Sequence, residues 1–227
     1  MTTRLNRRLY RLNLKWGGTA MPDAERLQNM LDKFEIQEVV TAACYSRDSA
    51  DWDTLRDSYH PDGKVTVSWH SGPVDEFIER SKKMMAARGP QDFVKHVNAN
   101  QRVRLNGDRA IIEYDVILHN RRIMDGFAID FHTWSRYFDQ VEKRDDKWRI
   151  FIRSAIYEKD RMDPHNPREI PDSFYEDMNL EQYPLNIRYH CWRNAKTGQK
   201  PPEGLILARS EKEKEVREAA EKWLAGG

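Results

Sequence analysis

The chain has 227 residues, enough to bury a core without disulfide or metal staples, as one domain with appendages or two small ones. Its formal net charge of +1 and its 39% hydrophobic and 11% aromatic content leave no overall field for nucleic acid. They also leave no run of about 18 apolar residues that could span a membrane. The expected partners are a small molecule and other copies of the chain, and a cytoplasmic setting fits the two cysteines, Cys44 and Cys191, which form no spaced metal motif.

Residues 1–20 carry Arg4, Arg7, Arg8, Arg11 and Lys15 and no acid. They are read as a basic arm, disordered or docked on a partner, separated from the body by Gly17-Gly18. After Pro22-Asp23, helical spacing begins with Leu27, Met30, Leu31 and Phe34 and continues with Ile36, Val40, Cys44 and Asp48 at successive i+4 positions. Residues 52–59 read as a short helix stopped by Pro61-Asp62-Gly63, and Val65, Val67 and Trp69 alternate as a strand. Pro73 to Arg88 is helical. Residues 92–105, 109–122, 126–142 and 147–158 are four strand-like runs separated by short turn signals, which most simply form antiparallel hairpins. The order of elements describes an α+β domain over 21–160.

Six of the ten prolines lie beyond residue 160, together with Phe174, Tyr175, Tyr183, Tyr189 and Trp192. Residues 161–227 are therefore expected to run as an extended arm over this subunit or a neighbour, because so many aromatics do not suit a solvated linker. Ser210-Glu211-Lys212-Glu213 is a capping box for a final helix with Val216, Ala220, Trp223 and Leu224 on one stripe.

Two residues concentrate the chemical interest. Asp48 closes an apolar helix stripe at the wrong end of the helix dipole, so burial and dipole together would raise its pKa; the alternative is that it leaves the stripe at the last turn and caps the 51–59 helix. His96 shares strand parity with Val94, Asn98 and Asn100, while Phe93, Val97, Val103 and Leu105 fall mostly on the opposite, core-like face. A strand histidine alone is commonly structural, but one paired with a desolvated carboxylate is a competent general base. Arg153, grouped with Phe151 and Tyr157 opposite Trp148, Ile150, Ile152 and Ile156, is a third candidate, as stabiliser of a leaving group or as one half of an ion pair. Tyr45, His119, Tyr114 and Asp115 are weaker candidates. No dinucleotide, P-loop, nucleophile-elbow or zinc-protease motif is present, so no cofactor and no metal are expected.

Ile36-Gln37-Glu38 followed by Tyr45 and Asp48, then Asp51-Trp52-Asp53, His60-Pro61-Asp62, and Phe93 to Asn100 followed by Asn106-Gly107-Asp108-Arg109-Ala110, resemble the SnoaL-like branch of the nuclear transport factor 2-like superfamily over about residues 24–160. The resemblance implies a cone-shaped, cystatin-like α+β fold, a curved antiparallel sheet covered by N-terminal helices around a deep pocket. The functional pattern is similar to that of hexachlorocyclohexane dehydrochlorinase, scytalone dehydratase and bile acid 7α-dehydratase. It implies Asp48 and His96 as a dyad, Arg153 as an active-site arginine, and His119 near a second polar pocket position. Tyr45, Asn98, His119 and Trp69 are the expected substrate-binding residues. Ala43 stands where the dehydratases have a tyrosine. The function so implied is a cofactor-independent lyase of the dehydratase or dehydrohalogenase type, acting on a cyclic, largely apolar molecule, with a trimer or else a dimer as the assembly. An isomerase or cyclase using the same base, or a non-catalytic binding or structural member, are the alternatives.

Overall fold

In a computed structural model the described residues are 23–226 apart from 177, so the basic arm lies outside them. The helices are α1 (Asp23–Ser49), α2 (Trp52–Asp57), α3 (Val74–Ala86), α4 (Ser173–Glu176), α5 (Arg188–Lys196) and α6 (Glu211–Leu224). The strands are β1 (Tyr59–Val67), β2 (His70–Pro73), β3 (Phe93–Asn106), β4 (Arg109–Met124), β5 (Phe127–Arg144), β6 (Lys147–Pro164) and β7 (Ile206–Leu207). The hairpins follow from their turns. Asp125-Gly126 and Asp145-Asp146 take positive φ at both positions, the backbone that matches strand twist in a two-residue loop.

The α+β class and the curved sheet hold, but the sheet is mixed rather than antiparallel. Its order is β2-β1-β6-β5-β4-β3. The β3 to β6 meander is antiparallel, whereas β1 runs parallel to β6, since the whole meander intervenes between them, and β7 pairs parallel with the next stretch of β6. Strands of 18 residues, as β5 and β6 are, bend rather than run flat, and register shifts at Ala99/Arg102, Trp134/Ser135 and Gln140/Val141 mark the bends.

The bulges correct two parity readings. Asn100 takes φ 53° at the β3 bulge, so Val103 and Leu105 turn onto the core while Phe93 and Val97 stay exposed on the outer face. In β6 a register shift near Ile150 brings Arg153 and Tyr157 to the same inner side as Trp148 and Ile150, and leaves Phe151 outside, stacked on Trp223.

The main core lies between the concave face and the helices, with Ile36, Val40, Ala43 and Cys44 from α1 against Phe77, Tyr114, Val141 and Ile150. Each of the isoleucine and valine side chains among them, taken from water, stabilises the fold by about 1.5–3 kcal/mol. Asp32 pins α1 to the β5–β6 hairpin by accepting from Trp148 Nε1 at 2.8 Å and Lys143 Nζ at 3.1 Å. The start of the helical stripe is not core, for Leu27, Met30, Leu31 and Phe34 are 54–60% exposed.

The C-terminal segment is not simply extended. β6 continues through Pro164, and α5 and α6 fold back on this same chain. Trp192 and Met178 join Ile129 and Phe131 in one cluster, while Ala220 and Leu224 join Ile111, Phe138 and Ile156 on the convex face. Ser210 caps α6 by accepting from Glu213 N, as its capping box predicts.

Candidate functional site

A cavity of about 590 Å³ opens at one end of the concave face, within the range of small-molecule sites. Four parts of the chain converge on it: the last turns of α1 and α3, the β1–β2 turn, the inward residues of β3 to β6, and α5.

His96 lies on its wall, and Asp48 lies behind His96. The i+4 stripe that buries Ile36, Val40 and Cys44 brings Asp48 to the inner side of α1 at its last turn. It does not cap α2, because Asp51 does so by accepting from Thr54 N. Asp48 Oδ1 lies 2.7 Å from His96 Nδ1, and Oδ2 accepts from the His96 backbone N–H at 2.6 Å. Both side chains are largely buried, at 15% and 6% exposure.

The expected rise in the Asp48 pKa is not found. Burial does push its carboxyl up, but the ring and backbone hydrogen bonds from His96, with Arg47 nearby, outweigh burial and hold it below the usual carboxylate value. For His96, burial is the largest influence and lowers the imidazole, against the raising effect of Asp48. The pair is thus an ionised carboxylate beside a neutral imidazole. With Nδ1–H donated to Asp48, Nε2 carries the free lone pair on a ring that lines the cavity, the protonation state a general base needs.

Arg153 also lines the cavity. It is 3% exposed and lies between the rings of Tyr59 and Tyr137, at 5.3 and 5.1 Å. Its Nε and Nη2 donate to fully buried Asp139 at 2.8–3.2 Å, and Nη2 also donates to the Tyr114 hydroxyl at 2.7 Å. Burial raises the Asp139 carboxyl despite these partners; at Arg153 burial is the largest influence and lowers the guanidinium, but Asp139, Tyr114, Tyr59 and Cys44 together exceed it and keep it charged. Both readings of Arg153 therefore apply at once: it is half of an inner ion pair and a cation at the cavity wall. Tyr114 serves that pair rather than the cavity.

The expected substrate-binding residues divide. Trp69 lines the cavity, stacked on Phe77 with ring centroids 5.2 Å apart and carrying the Arg47 guanidinium at 5.5 Å. Asn98 faces inward from β3 but lies outside the lining, against the buried Cys44 thiol. Tyr45 is 73% exposed on the outer side of α1, a quarter turn from the stripe. His119 faces the convex side, where it pairs with His132 at 2.8 Å, and its neighbour Asn120 takes the inward place. Asp115 is also outward, bonded to Arg136 and Asn100.

Sequence reading missed the contribution of α5. His190, Arg193 and Asn194, spaced i, i+3 and i+4, present one face to the cavity. His190 is buried between Ser68 Oγ at 2.6 Å and Thr133 Oγ1 at 2.9 Å, and accepts from Arg193 Nη2 at 3.3 Å. Burial and the Arg193 charge hold His190 well below its ordinary pKa, so it is neutral. Asn120 and Arg122 were legible, since they share strand parity with Tyr114 and Val116; α5 is short and carries little amphipathic signal.

Among known proteins, the family described as a SnoaL-like domain matches residues 28–154. A PEP2-like protein of Fusarium vanettenii is 27% identical over 175 residues, 75% of this chain and 73% of the relative. Pea pathogenicity protein 2 of the same organism is 26% identical over 208 residues, covering 86% and 87%. Among solved structures, a type 2 hexachlorocyclohexane dehydrochlorinase superposes with a TM-score of 0.54 at 13% identity over 64% of this chain and 97% of its own. A candidate scytalone dehydratase of Novosphingobium aromaticivorans does so with 0.53 at 16% over 65% and 99%. Both likenesses concern the fold.

Proposed function

The chain belongs to the SnoaL-like family, and from that premise we propose that it is a cofactor-independent lyase whose base is His96, held and polarised by Asp48. The observation that carries this reading is the buried, two-point contact between Asp48 and His96 at the wall of the cavity, with the imidazole neutral. His96 Nε2 removes a proton from a ring carbon of the substrate. The C–H electron pair becomes the new double bond, and the bond to a hydroxide or halide on the adjacent carbon breaks, its electron pair leaving with that group. Asp48 stabilises the imidazolium so formed, and Arg153 supplies positive charge on the side where the leaving group gains negative charge. Trp69, Phe77 and Tyr137 offer flat apolar walls to a cyclic substrate. Tyr137 is held far above its ordinary pKa by burial and stays a protonated hydroxyl.

General base catalysis contributes about 10²–10⁴-fold, and positioning with electrostatics supplies the remainder. The test is a panel of cyclic alcohols and halides, γ-hexachlorocyclohexane and scytalone included, followed by mass spectrometry. Wild type is expected to yield a product lighter by water or hydrogen halide, and His96→Gln and Asp48→Asn to lose that turnover. A product of unchanged mass would mark isomerisation, and full activity in His96→Gln would reject the base assignment.

A further inference from the structure

The cavity is unevenly charged. Arg122 and Lys196 are answered by Asp92 at 2.8 Å and Asp125 at 3.9 Å, and Arg153 by Asp139. Arg193 and Arg88 are not. Arg193 is 7% exposed, lies over the Phe131 ring at 5.3 Å, and directs Nη2 to His190 and to Asn194 Oδ1 at 3.0 Å. Its Nη1 is buried with no partner among the described residues. Arg88 bonds the Met85 sulfur through Nη1 and leaves Nε buried and, among the described residues, unpaired. Asn194, 5% exposed, has its amide oriented by Arg193 and leaves Nδ2 likewise buried and unpaired among them. These three donors belong to residues of one cavity, and neither guanidinium meets a carboxylate among the described residues.

A buried donor without a partner is destabilising, and more so when it is charged. Burial, with Arg122 nearby, pushes Arg193 down to about 9, and burial with Arg47 and then Arg122 pushes Arg88 down to about 10. An anion with two oxygens would restore what is missing, since a carboxylate accepts up to four hydrogen bonds and guanidinium donors grip it at two points. Because His96 lines the same cavity, the anionic end would fix which ring carbon meets the base.

We propose that Arg193 and Asn194 of α5, with Arg88 just past the end of α3, form a carboxylate subsite, so that the substrate is a cyclic carboxylic acid rather than a neutral apolar molecule. This deepens the lyase reading and rests on it only for the turnover, not for the binding. It also gives the C-terminal segment a task, because α5 supplies two of the three groups.

The experiment is calorimetric titration at neutral pH of the full chain with 1-naphthoate and its neutral isostere 1-naphthamide. Naphthoate is expected to bind roughly tenfold or more tightly, the size of one charge-assisted hydrogen bond. Arg193→Gln should abolish that preference and Arg193→Lys retain part of it, with thermal melts showing both variants folded. His96→Gln should keep the preference, which separates this proposal from the base assignment. Equal affinity of wild type for the two ligands would overturn the subsite whether or not the variants fold. So would a preference surviving in folded Arg193→Gln, and displacement of naphthoate by inorganic phosphate at lower concentration than by acetate would overturn the choice of a carboxylate.

Discussion

Asp139→Asn isolates the electrostatics beneath the site. The substitution keeps the shape of a side chain with 0% exposure and leaves an acceptor for the Tyr114 hydroxyl, but removes the charge facing Arg153. Arg153, 3% exposed, gives its Nε and Nη2 hydrogen bonds to Asp139 and to the Tyr114 hydroxyl. Breaking a buried pair from one side costs about 3–5 kcal/mol, because the remaining charge is left uncompensated. For a chain of this size each kcal/mol lowers Tm by about 2–4 °C, so the variant should melt roughly 6–20 °C below wild type. The triple variant Asp139→Leu, Arg153→Met and Tyr114→Phe removes both charges and the hydroxyl bonded to them and should recover most of that loss, since apolar groups of similar volume need no partner. Urea unfolding followed by circular dichroism measures both, and an unchanged slope with denaturant would show that compactness is the same. A loss below about 1 kcal/mol in the single variant would mean that Asp139 is already neutral, and would refute the ion pair as drawn.

Stability should fall as pH drops from about 7 to 5.5. Burial lowers His60, His70, His96, His119 and His190, so the unfolded chain binds protons near its pKa of about 6.5 that the folded chain refuses. Asp160, raised to about 6 by burial, and Asp139, also raised by burial, work the other way but are two groups against five. Denaturation midpoints that stay level across this window would contradict the assignment. In nuclear magnetic resonance spectra at pH 7, His96 should be neutral with its proton on Nδ1; a proton on Nε2 would remove it as base. Gly63→Ala should destabilise by about 1–3 kcal/mol, because its Cβ would lie 2.9 Å from the His60 carbonyl oxygen, and an unaltered melt would show that β1 can shift. Ser210→Ala should cost about 1 kcal/mol of α6 stability through loss of its cap, seen as faster amide exchange in its first turn.

Much of the chain's architecture was fixed locally. The i+4 spacing of Ile36, Val40, Cys44 and Asp48 suffices to put an acid on the inner side of α1, and the positive-φ turn residues suffice to fold β3 to β6 into a meander, because both depend on neighbours within a few residues. Strand parity likewise brings His96 inward. Parity fails wherever one residue is inserted: the bulges at Asn100 and near Ile150 reverse the facing of all that follows, and nothing in their side chains announces them. Tertiary structure alone decided the rest. The direction of the Asp48 shift depends on a histidine 48 residues away, whose hydrogen bonds exceed the cost of burial. The charge of the cavity depends on α5, which is held there by Trp192 against Phe131 and by His190 bonded to Ser68 and Thr133, all distant in sequence. Local pattern sets which way a side chain faces, while partner, burial and charge at a site are sums over the whole chain.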